Sequence, residues 1–392
     1  MNRHRFPGLA DGWARLDGAA GTQPVDSTIE AIEGWLRSGR VANDGGQFAA
    51  AGACDALLAC ARSAAGELLV ADPAGVVFGP SMTALTFAFS RAVARTLQPG
   101  DEIICTRLDH DANVAPWLAA ARDSGATVRF AEPDPDTLEL PIEALAKVLG
   151  PRTRWVAVTA ASNAVGTMPD LAAIGALTQE HGCRLFVDAV HAVAHRRLDV
   201  AAMRCDALAC SAYKWFGPHL SVLWARPQLL AQLTPQRLRP ASDGVPERWE
   251  HGTSSFEALA GLVAAADYLH TLDWPRLRAH EQALFAQLFD GLAAIDGVTL
   301  FGRARDRAPT AMFTVAGRTS AQVAAHLATE RVAVWDGTYY AWELFRLLGL
   351  TRDGVVRASV VHYNDESDVQ RLVDAVAALD DSAGSRAFQR PA

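Results

Sequence analysis

The stretch CSAYKWFG contains the residue with the most distinctive chemistry in this chain, Lys214. Lysine occurs only twice, at Lys147 and Lys214, although the chain has 36 lysines and arginines together. Lys147 lies on the polar side of an amphipathic segment and is interpreted as a solvated cation. Lys214 follows the apolar run CDALAC and lies between Tyr213 and Trp215, so burial should disfavour its ammonium form. Because a neutral amine can form an imine, one interpretation of Lys214 is a lysine that forms a Schiff base. The alternative is a lysine that extends its ammonium to solvent.

A carboxylate follows another apolar run upstream of Lys214: CRLFVDAVHAV places Asp188 at a strand end. An unpaired carboxylate is costly among such neighbours, so Asp188 either caps the next helix or pairs with a cation. The protonated ring nitrogen of pyridoxal phosphate (PLP) is such a cation, and the pyridinium is the electron sink of PLP chemistry. Because Asp188 and Lys214 both follow strand-like runs, we expect them at one end of a sheet, where ligands of open α/β folds bind. The pair therefore favours a PLP site.

Strand-like and helix-like segments alternate over much of the chain. Helices are predicted at 81–97, 112–125, 141–150 and 169–181. The predicted strands are continuous apolar runs rather than alternating ones, which is typical of a mostly parallel sheet covered on both faces by helices. These runs are VVFG, DEIICT, TVRFAE, RWVAVTAAS, CRLFVDAV, CDALACSA and LSVLWA. The pattern predicts an α/β fold.

The final third of the chain has a different pattern. A helical stretch from about 256 to 295, broken near 273–275, leads into the strand-like runs APTAMFTVAG, RVAVWDG and VVRASVVHY. Helices predicted at 319–329 and 365–379 accompany these runs, which indicates a smaller α+β domain. The predicted organisation is an N-terminal segment at 1–20 that packs on the small domain, a large domain at 21–265, a small domain at 266–380 and a tail at 381–392.

Composition excludes several classes of function. The formal charge of −8 and the pI near 5.8 disfavour binding to nucleic acid. No run of 18 apolar residues occurs and the start lacks the apolar core of a signal peptide, so we expect a cytoplasmic protein without a membrane span. The six cysteines form no CxxC pair, which favours reduced thiols, and no metal site is predicted. No strand is followed by G-x-G-x-x-G, which disfavours a nicotinamide dinucleotide.

Together with their neighbours, Asp188 and Lys214 resemble the cofactor residues of the class V aminotransferase family, PLP enzymes of fold type I. Within that family, the sequence is most similar to the cysteine desulfurase and selenocysteine lyase branch. The resemblance extends from LDGAAGTQP to VRASVVHYN, which is almost the whole chain. It implies PLP as cofactor, a small amino acid as substrate and a homodimer. The fold that it implies is a mostly parallel central sheet covered by helices, with a smaller C-terminal α+β domain.

The resemblance also implies roles for the residues around the cofactor ring. Lys214 would form the Schiff base with PLP and later move the α-proton, and Asp188 would hold the pyridinium. His110, in LDHDANVAPW, would stack on the ring, whereas by itself it is interpreted as a surface-loop histidine. Asn163, in SNAVGT, would reach the ring hydroxyl. His191 would also reach the ring hydroxyl, at a position where the desulfurases more often have glutamine. The alternative interpretation of His191 is a histidine on a helix surface.

Recognition of the cofactor phosphate is distributed over separate segments. GPSMTA opens a helix, whose N-terminal amides favour an anion. The resemblance assigns Ser81 and the amide of Met82 to the phosphate, although Ser81 by itself is interpreted as a helix N-cap. Ser211 and Tyr213 are further candidates. The desulfurases often have histidine where this chain has Tyr213.

Two more segments complete the site that the resemblance implies. Gly252 and Thr253, in EHGTSS, match a loop that reaches the phosphate of the neighbouring subunit, which implies a homodimer with shared active sites. Arg357, in VVRASVVHYN, lies in a strand, where a guanidinium needs an anionic partner. The resemblance assigns it the substrate α-carboxylate, and the alternative is an intramolecular salt bridge.

The chain departs from the desulfurases at the residue that accepts sulfur. A desulfurase needs a thiolate on a loop upstream of that arginine, yet no cysteine follows Cys210. The corresponding stretch, WDGTYYAWELF, offers Tyr340 or Ala341, and tyrosine cannot carry a persulfide. Tyr340 is therefore predicted to bind substrate. It belongs to an aromatic cluster that either lines a specificity pocket or packs in the core, made of Trp335, Tyr339, Tyr340 and Trp342.

Several reactions are open to a PLP enzyme with these residues. We favour C–S bond cleavage of the β-elimination type. Class V transamination, amino-acid epimerisation, and desulfurase or selenocysteine lyase chemistry without a loop cysteine are the alternatives. A regulatory module without catalysis is disfavoured because both Lys214 and Asp188 are present.

Overall fold

The chain folds around three β-sheets, of seven, four and two strands, in a computed structural model that describes residues 2–352 and 354–384. The strands are, in chain order, β1 (Ala14–Arg15), β2 (Val76–Gly79), β3 (Glu102–Thr106), β4 (Thr127–Ala131), β5 (Thr153–Thr159), β6 (Arg184–Asp188), β7 (Ala207–Ser211), β8 (Ser221–Ala225), β9 (Val298–Phe301), β10 (Thr310–Val315), β11 (Val332–Ala333), β12 (Trp335–Gly337) and β13 (Val355–Ser359). The helices are α1 (Asp26–Arg37), α2 (Ala49–Leu69), α3 (Met82–Ala94), α4 (Ala115–Ser124), α5 (Ile142–Ala146), α6 (Leu171–Glu180), α7 (Pro227–Gln232), α8 (Phe256–His270), α9 (Trp274–Ala293), α10 (Ser320–Thr329), α11 (Trp342–Leu348) and α12 (Glu366–Gly384).

The larger sheet has seven strands in the order β2-β8-β7-β6-β5-β3-β4. Only β8 runs against its neighbours β2 and β7, and the other pairs are parallel. The predicted α/β class with a mostly parallel sheet is therefore confirmed. Because β2, β3, β5, β6 and β7 share one direction, the loops that follow them emerge at the same edge of the sheet.

Both faces of this sheet are buried, which explains why its strands are continuous apolar runs. Adjacent residues of β3 point to opposite sides: Ile103 belongs to one buried cluster and Ile104 to the other. On the side of Ile103, Phe89 of α3 packs against Trp155 and Phe186, with ring centroids 5.5 Å away in each case. Close packing of such large rings makes this face the rigid base of the neighbouring loops.

The four-stranded sheet is antiparallel, in the order β12-β13-β10-β9, and α9, α10 and α12 contribute to the apolar cluster that covers it. The N-terminal segment joins this part of the fold: β1 pairs with β11, and Asp17 forms a bridge with Ser359. The boundary predicted after residue 265 falls within α8, and the division into domains stays a prediction.

The structure also corrects several predicted elements. The helix expected at 141–150 is only the short α5, and RVAVWDG forms β11 and β12, which belong to different sheets. The helices α1, α2, α7 and α11 and the strands β1 and β9 were not predicted. Most of these are short, and α2 consists largely of alanine and glycine, so the polar and apolar contrast that predicts elements is weak there.

The predicted tail at 381–392 overlaps the end of α12, and its residues 385–392 lie outside the described residues. Among residues 2–352 and 354–384, no helix has the length and apolarity needed to cross a bilayer. The cytoplasmic location stays a prediction.

Candidate active site

Loops that follow five parallel strands meet at one edge of the larger sheet and enclose a cavity. All predicted cofactor-binding residues except Gly252 and Thr253 line it, although they come from segments far apart in sequence. The lining residues are Ser81, Met82, Thr83, His110, Ala112, Thr159, Ala161, Asn163, Asp188, Val190, His191, Ser211, Tyr213 and Lys214.

Lys214 ends a single 3-10 turn after β7 and is buried, with 8% of its surface exposed. The N-terminal segment holds this turn, because Thr22 donates its amide to the Tyr213 carbonyl (3.0 Å) and accepts from the Phe216 amide (2.8 Å). Burial lowers the pKa of Lys214 to about 7; the Arg357 charge also lowers it, and Asp188 opposes the shift. The side chain is therefore a reactive amine near neutral pH.

Asp188 is the last residue of β6 and is also buried, with its Oδ1 accepting from the Val190 amide at 2.9 Å. Burial raises its pKa to about 6, while the Val190 hydrogen bond and the Lys214 charge act against this shift. A cation placed beside Asp188 would favour the ionised carboxylate. The protonated ring nitrogen of PLP fits that requirement.

Asn163 tests the fit of the cofactor most directly. Its Nδ2 donates to the Tyr339 carbonyl at 2.8 Å. Its Oδ1 is buried and has no hydrogen-bond partner within the described part of the chain, and such an atom is costly unless a donor reaches it. The ring hydroxyl of PLP is a suitable donor, so the residues present fit this cofactor.

Two neutral histidines line other sides of the cavity. His110 accepts the Ala112 amide on Nδ1 at 3.0 Å, which leaves the ring proton on Nε2 in the neutral form. Burial, followed by the charges of Lys214 and Arg357, lowers the pKa of His110 to about 3. His191 lies 3.0 Å from Thr310 Oγ1 through Nε2, and burial holds its pKa well below the usual range. His191 is buried, so its surface alternative is wrong, whereas His110 is partly exposed in a loop and also lines the cavity.

The N-terminus of α3 forms the end of the cavity suited to an anion. Ser81 caps this helix and accepts the Ala84 amide at 3.1 Å, so its N-cap interpretation is correct and leaves the hydroxyl proton free for an acceptor. Ser211 Oγ lies 2.8 Å from Ser221 Oγ. The Tyr213 ring stacks on His219, 5.0 Å away and nearly parallel. Helix amides and hydroxyls of this kind are typical of phosphate sites.

Arg357, predicted to bind substrate, lies behind Asn163 rather than in the cavity wall. Its Nη1 donates to the Asn163 carbonyl at 2.7 Å, and its guanidinium lies 4.3 Å from the centroid of the Tyr339 ring. No carboxylate of residues 2–352 and 354–379 forms an ion pair with it, so the alternative of an intramolecular salt bridge finds no partner within those residues. Burial lowers its pKa to about 10, yet the side chain stays cationic.

A tight turn connects β12 with α11 next to this arginine. Ala341 donates its amide to the Thr338 carbonyl at 2.9 Å, and both residues between them are left-handed, with φ of 50° at Tyr339 and 56° at Tyr340. Two non-glycine residues in this region are unusual and require support from their surroundings. One support is the Asp111 amide, which donates to the Tyr340 carbonyl at 2.6 Å.

The two tyrosines of this turn have different surroundings. The side chain of Tyr340 is largely exposed, and its ring lies 5.4 Å from that of His110 at the cavity mouth. Tyr339 packs under Arg357 and donates its hydroxyl to the Val355 carbonyl. Sequence reasoning named Tyr340 as a site residue and missed the role of Tyr339, because no local pattern shows which of two adjacent tyrosines turns inward.

Gly252 and Thr253 lie on an exposed loop before α8 and do not line the cavity of their own chain. Gly252 has φ of 77°, which favours glycine. The start of this loop is held by Glu250, which accepts two hydrogen bonds of 2.9 Å from Arg62 and one of 2.8 Å from the Phe78 amide. The loop therefore projects from a firmly held base.

Comparisons with known proteins agree on the family. The family model described as aminotransferase class V matches residues 14–372. The chain is 32% identical to a probable cysteine desulfurase of Pseudomonas aeruginosa, over 93% of this chain and 92% of that protein. It is 31% identical to the aminotransferase-like protein FGM3 of Gibberella zeae, over 95% and 96% of the two chains. The crystal structure of the cysteine desulfurase CsdA from Escherichia coli superposes with a TM-score of 0.88 at 29% identity, covering 97% of this chain and 98% of the other.

These matches extend over all three sheets and over the cavity between the loops. They confirm the predicted architecture of fold type I. The chain belongs to the class V aminotransferase family and is a cysteine desulfurase-like, PLP-dependent enzyme.

Proposed function

We propose that this enzyme cleaves a C–S bond of a small amino acid such as cysteine by β-elimination. The observation that carries the proposal is the turn at residues 338–341, which offers two tyrosines where desulfurase chemistry needs a thiol. The turn is held by hydrogen bonds from Asp111 and Asn163. A persulfide cannot form on either tyrosine, so sulfur would leave the site with the substrate fragment or as sulfide.

The cysteines elsewhere in the chain do not supply the missing thiolate. None of them lines the cofactor cavity. Cys210, on β7, is fully buried, and burial raises the pKa of its thiol to about 12. A thiol in that state is a poor nucleophile at neutral pH.

The proposed roles around the cofactor follow from the contacts of each residue. PLP, when bound through Lys214, supplies an electron sink for the electrons released at Cα of the substrate. Asp188 would hold the ring nitrogen, and Asn163 Oδ1 would accept a hydrogen bond from the ring hydroxyl. The neutral His110 ring can lie against the cofactor without adding a second positive charge beside Lys214. Ser81 and the first amides of α3 would bind the phosphate.

Arg357 and Lys214 would act on the substrate. Arg357 is held between the Asn163 carbonyl and the Tyr339 ring, which orients its remaining N–H groups for a bidentate grip on the α-carboxylate. The neutral amine of Lys214 would take the α-proton, and the Cβ–S bond then breaks with its electrons leaving on sulfur. With cysteine and one water, the balanced products are pyruvate, ammonia and hydrogen sulfide.

The test is product analysis on the PLP-loaded enzyme with a panel of amino acids that includes cysteine. We expect pyruvate and sulfide in equal amounts, and neither from the variant Lys214→Ala. Alanine accompanied by released sulfur would instead mean desulfurase chemistry, a keto acid with the pyridoxamine form of the cofactor would mean transamination, and inversion at Cα would mean epimerisation. Any of these three outcomes would overturn the proposed reaction while leaving the family unchanged.

The proposed enzyme is a homodimer in which Gly252 and Thr253 complete the neighbouring site. Their exposure and their absence from the cavity of their own chain support this arrangement. A mixture of the inactive variants Lys214→Ala and Thr253→Asp tests it. Random exchange of subunits should restore about a quarter of the activity, because mixed dimers have one intact site if Thr253 acts across the interface. No restoration despite subunit exchange would place Thr253 outside the neighbouring site.

A further inference from the structure

A second cavity, separate from the cofactor cavity, lies between α9 and the connection from β9 to β10. Its volume is about 550 Å³, which is within the range of small-molecule sites. One wall is the face of α9 from Arg278 to Asp290, and the other is the segment from Arg303 to Pro309. It shares no lining residue with the cofactor cavity.

Arg307 in this cavity is a largely buried cation that lacks an anionic partner. Its guanidinium donates to three backbone carbonyls, those of Gly302 (3.1 Å), Val165 (2.8 Å) and Thr310 (2.6 Å). Its Nε has no hydrogen-bond partner, and no carboxylate of residues 2–352 and 354–379 forms an ion pair with it. An uncompensated buried charge is unfavourable, and desolvation accordingly lowers the pKa of Arg307 to about 10. An anion in the cavity would compensate this charge.

The rest of the lining favours an anion with an apolar body. Arg303 and Arg305 lie at the exposed side, and neither forms a salt bridge with a described residue. The two carboxylates in the lining are Glu281, which contacts His195 at 2.9 Å, and Asp290 at the far end of the α9 wall. The rest of the lining combines the polar side chains of His195, Arg278 and Gln282 with an apolar part. This apolar part includes the rings of Phe285 and Phe289, which flank the Arg307 guanidinium at 4.6 and 5.4 Å.

We propose that this second cavity binds a small carboxylate with an aromatic or otherwise apolar body. The carboxylate would lie toward Arg303, Arg305 and Arg307, and the body would pack on Phe285 and Phe289. This combination of a few convergent cations with an apolar wall selects against both neutral aromatic molecules and compact inorganic anions. The proposal concerns a second site and does not depend on which reaction the cofactor site performs.

Contacts connect this site with the cofactor cavity. Arg307 binds the Thr310 carbonyl, and the Thr310 hydroxyl lies 3.0 Å from His191 in the cofactor cavity. The His191 ring also packs edge-on against that of His195, which lines the second cavity, with ring centroids 5.2 Å apart. Two contacts therefore connect Arg307 with His191 in the lining of the cofactor cavity.

Benzoate is the probe that we would titrate into the PLP-loaded enzyme, with calorimetry as the readout. We expect saturable binding of one benzoate per chain and none with neutral benzamide or inorganic phosphate at the same concentration. The double variant Arg303→Gln/Arg305→Gln should bind benzoate about tenfold more weakly, since it lacks two partly screened charges. Its matched control, Arg91→Gln/Arg276→Gln, removes two exposed arginines outside the cavity and should bind as the wild type does.

Two further variants separate this site from the substrate site. Arg357→Gln should bind benzoate normally, and Ala286→Trp, which fills the second cavity, should bind none while keeping the wild-type cofactor spectrum. Binding that is lost in Arg357→Gln but kept in the Arg303→Gln/Arg305→Gln variant would overturn the proposal. So would an absence of saturable binding, or equal affinity for benzamide.

Discussion

The reactivity of Lys214 provides the sharpest test of the site. An ordinary lysine has a pKa near 10.4, so only about one in a thousand is neutral at about pH 7.5. With a pKa of about 7, about three-quarters of Lys214 side chains would be neutral at that pH. At equal intrinsic nucleophilicity, the apoprotein should therefore attach PLP several hundredfold faster than a free lysine side chain does.

The assay is stopped-flow absorbance of PLP attachment to the apoprotein as a function of pH. We expect the rate to rise up to about pH 8 and then level off, because the amine is fully neutral above that point. N-acetyllysine methyl amide under the same conditions corrects for the titration of PLP itself, and Lys214→Ala should show no attachment. A tenfold rise for each unit up to about pH 10 would refute the argument, since it would mean an ordinary lysine pKa.

Two substitutions test the causes of this shift. Burial is the main cause and the Arg357 charge is the second, so Arg357→Gln should raise the pH at which the rate levels off. Asp188→Asn should lower it, because the Asp188 charge favours the ammonium form. Shifts in the opposite directions would show that the charges of Arg357 and Asp188 do not change the pKa of Lys214 in the way stated here.

Three predictions concern stability. His362 is buried with a pKa of about 3 instead of 6.5, so the unfolded chain binds the extra proton between those values. For each unit by which the pH falls in that window, His362 should account for about 1.4 kcal/mol of the unfolding free energy lost. His362→Phe should remove this contribution and make the pH dependence shallower in urea titrations, while His110 and His191 keep theirs. Glu250→Gln leaves buried Arg62 without its close carboxylate and should cost about 3 kcal/mol in urea unfolding at neutral pH. Phe186→Ala should cost about 3–5 kcal/mol in the same assay, because Phe186 is fully buried.

Each of these predictions has a control variant or an outcome that would contradict it. Parallel stability profiles for wild type and His362→Phe would contradict the assignment of the acid loss to that imidazole. Glu247→Gln removes a half-exposed carboxylate 3.9 Å from the same arginine and should cost far less than Glu250→Gln. Phe285→Ala removes a ring that is only partly buried, so an effect equal to that of Phe186→Ala would contradict the role given to core packing.

Much of the cofactor site was predictable because its residues follow strands. A continuous apolar run indicates a buried strand, and the polar residue after it emerges at the sheet edge. This reasoning applies to Asp188 at the end of β6 and to Lys214 after β7, and both line the cavity. The resemblance to class V aminotransferases added His110, Asn163 and Ser81, which no periodicity would have distinguished from ordinary loop residues.

The sequence by itself determined the chemistry available to this protein: an amine among aromatic residues, a carboxylate at a strand end, and no thiol after Cys210. The tertiary structure alone decided the pKa values of those groups and the orientation of the side chains around them. Burial moved the pKa of Lys214 and Asp188, and packing turned Tyr339 inward under Arg357 while Tyr340 faces solvent. Desolvation and charge–charge energies depend on distances between residues that are remote along the chain, and only the folded arrangement of the strands and loops sets those distances.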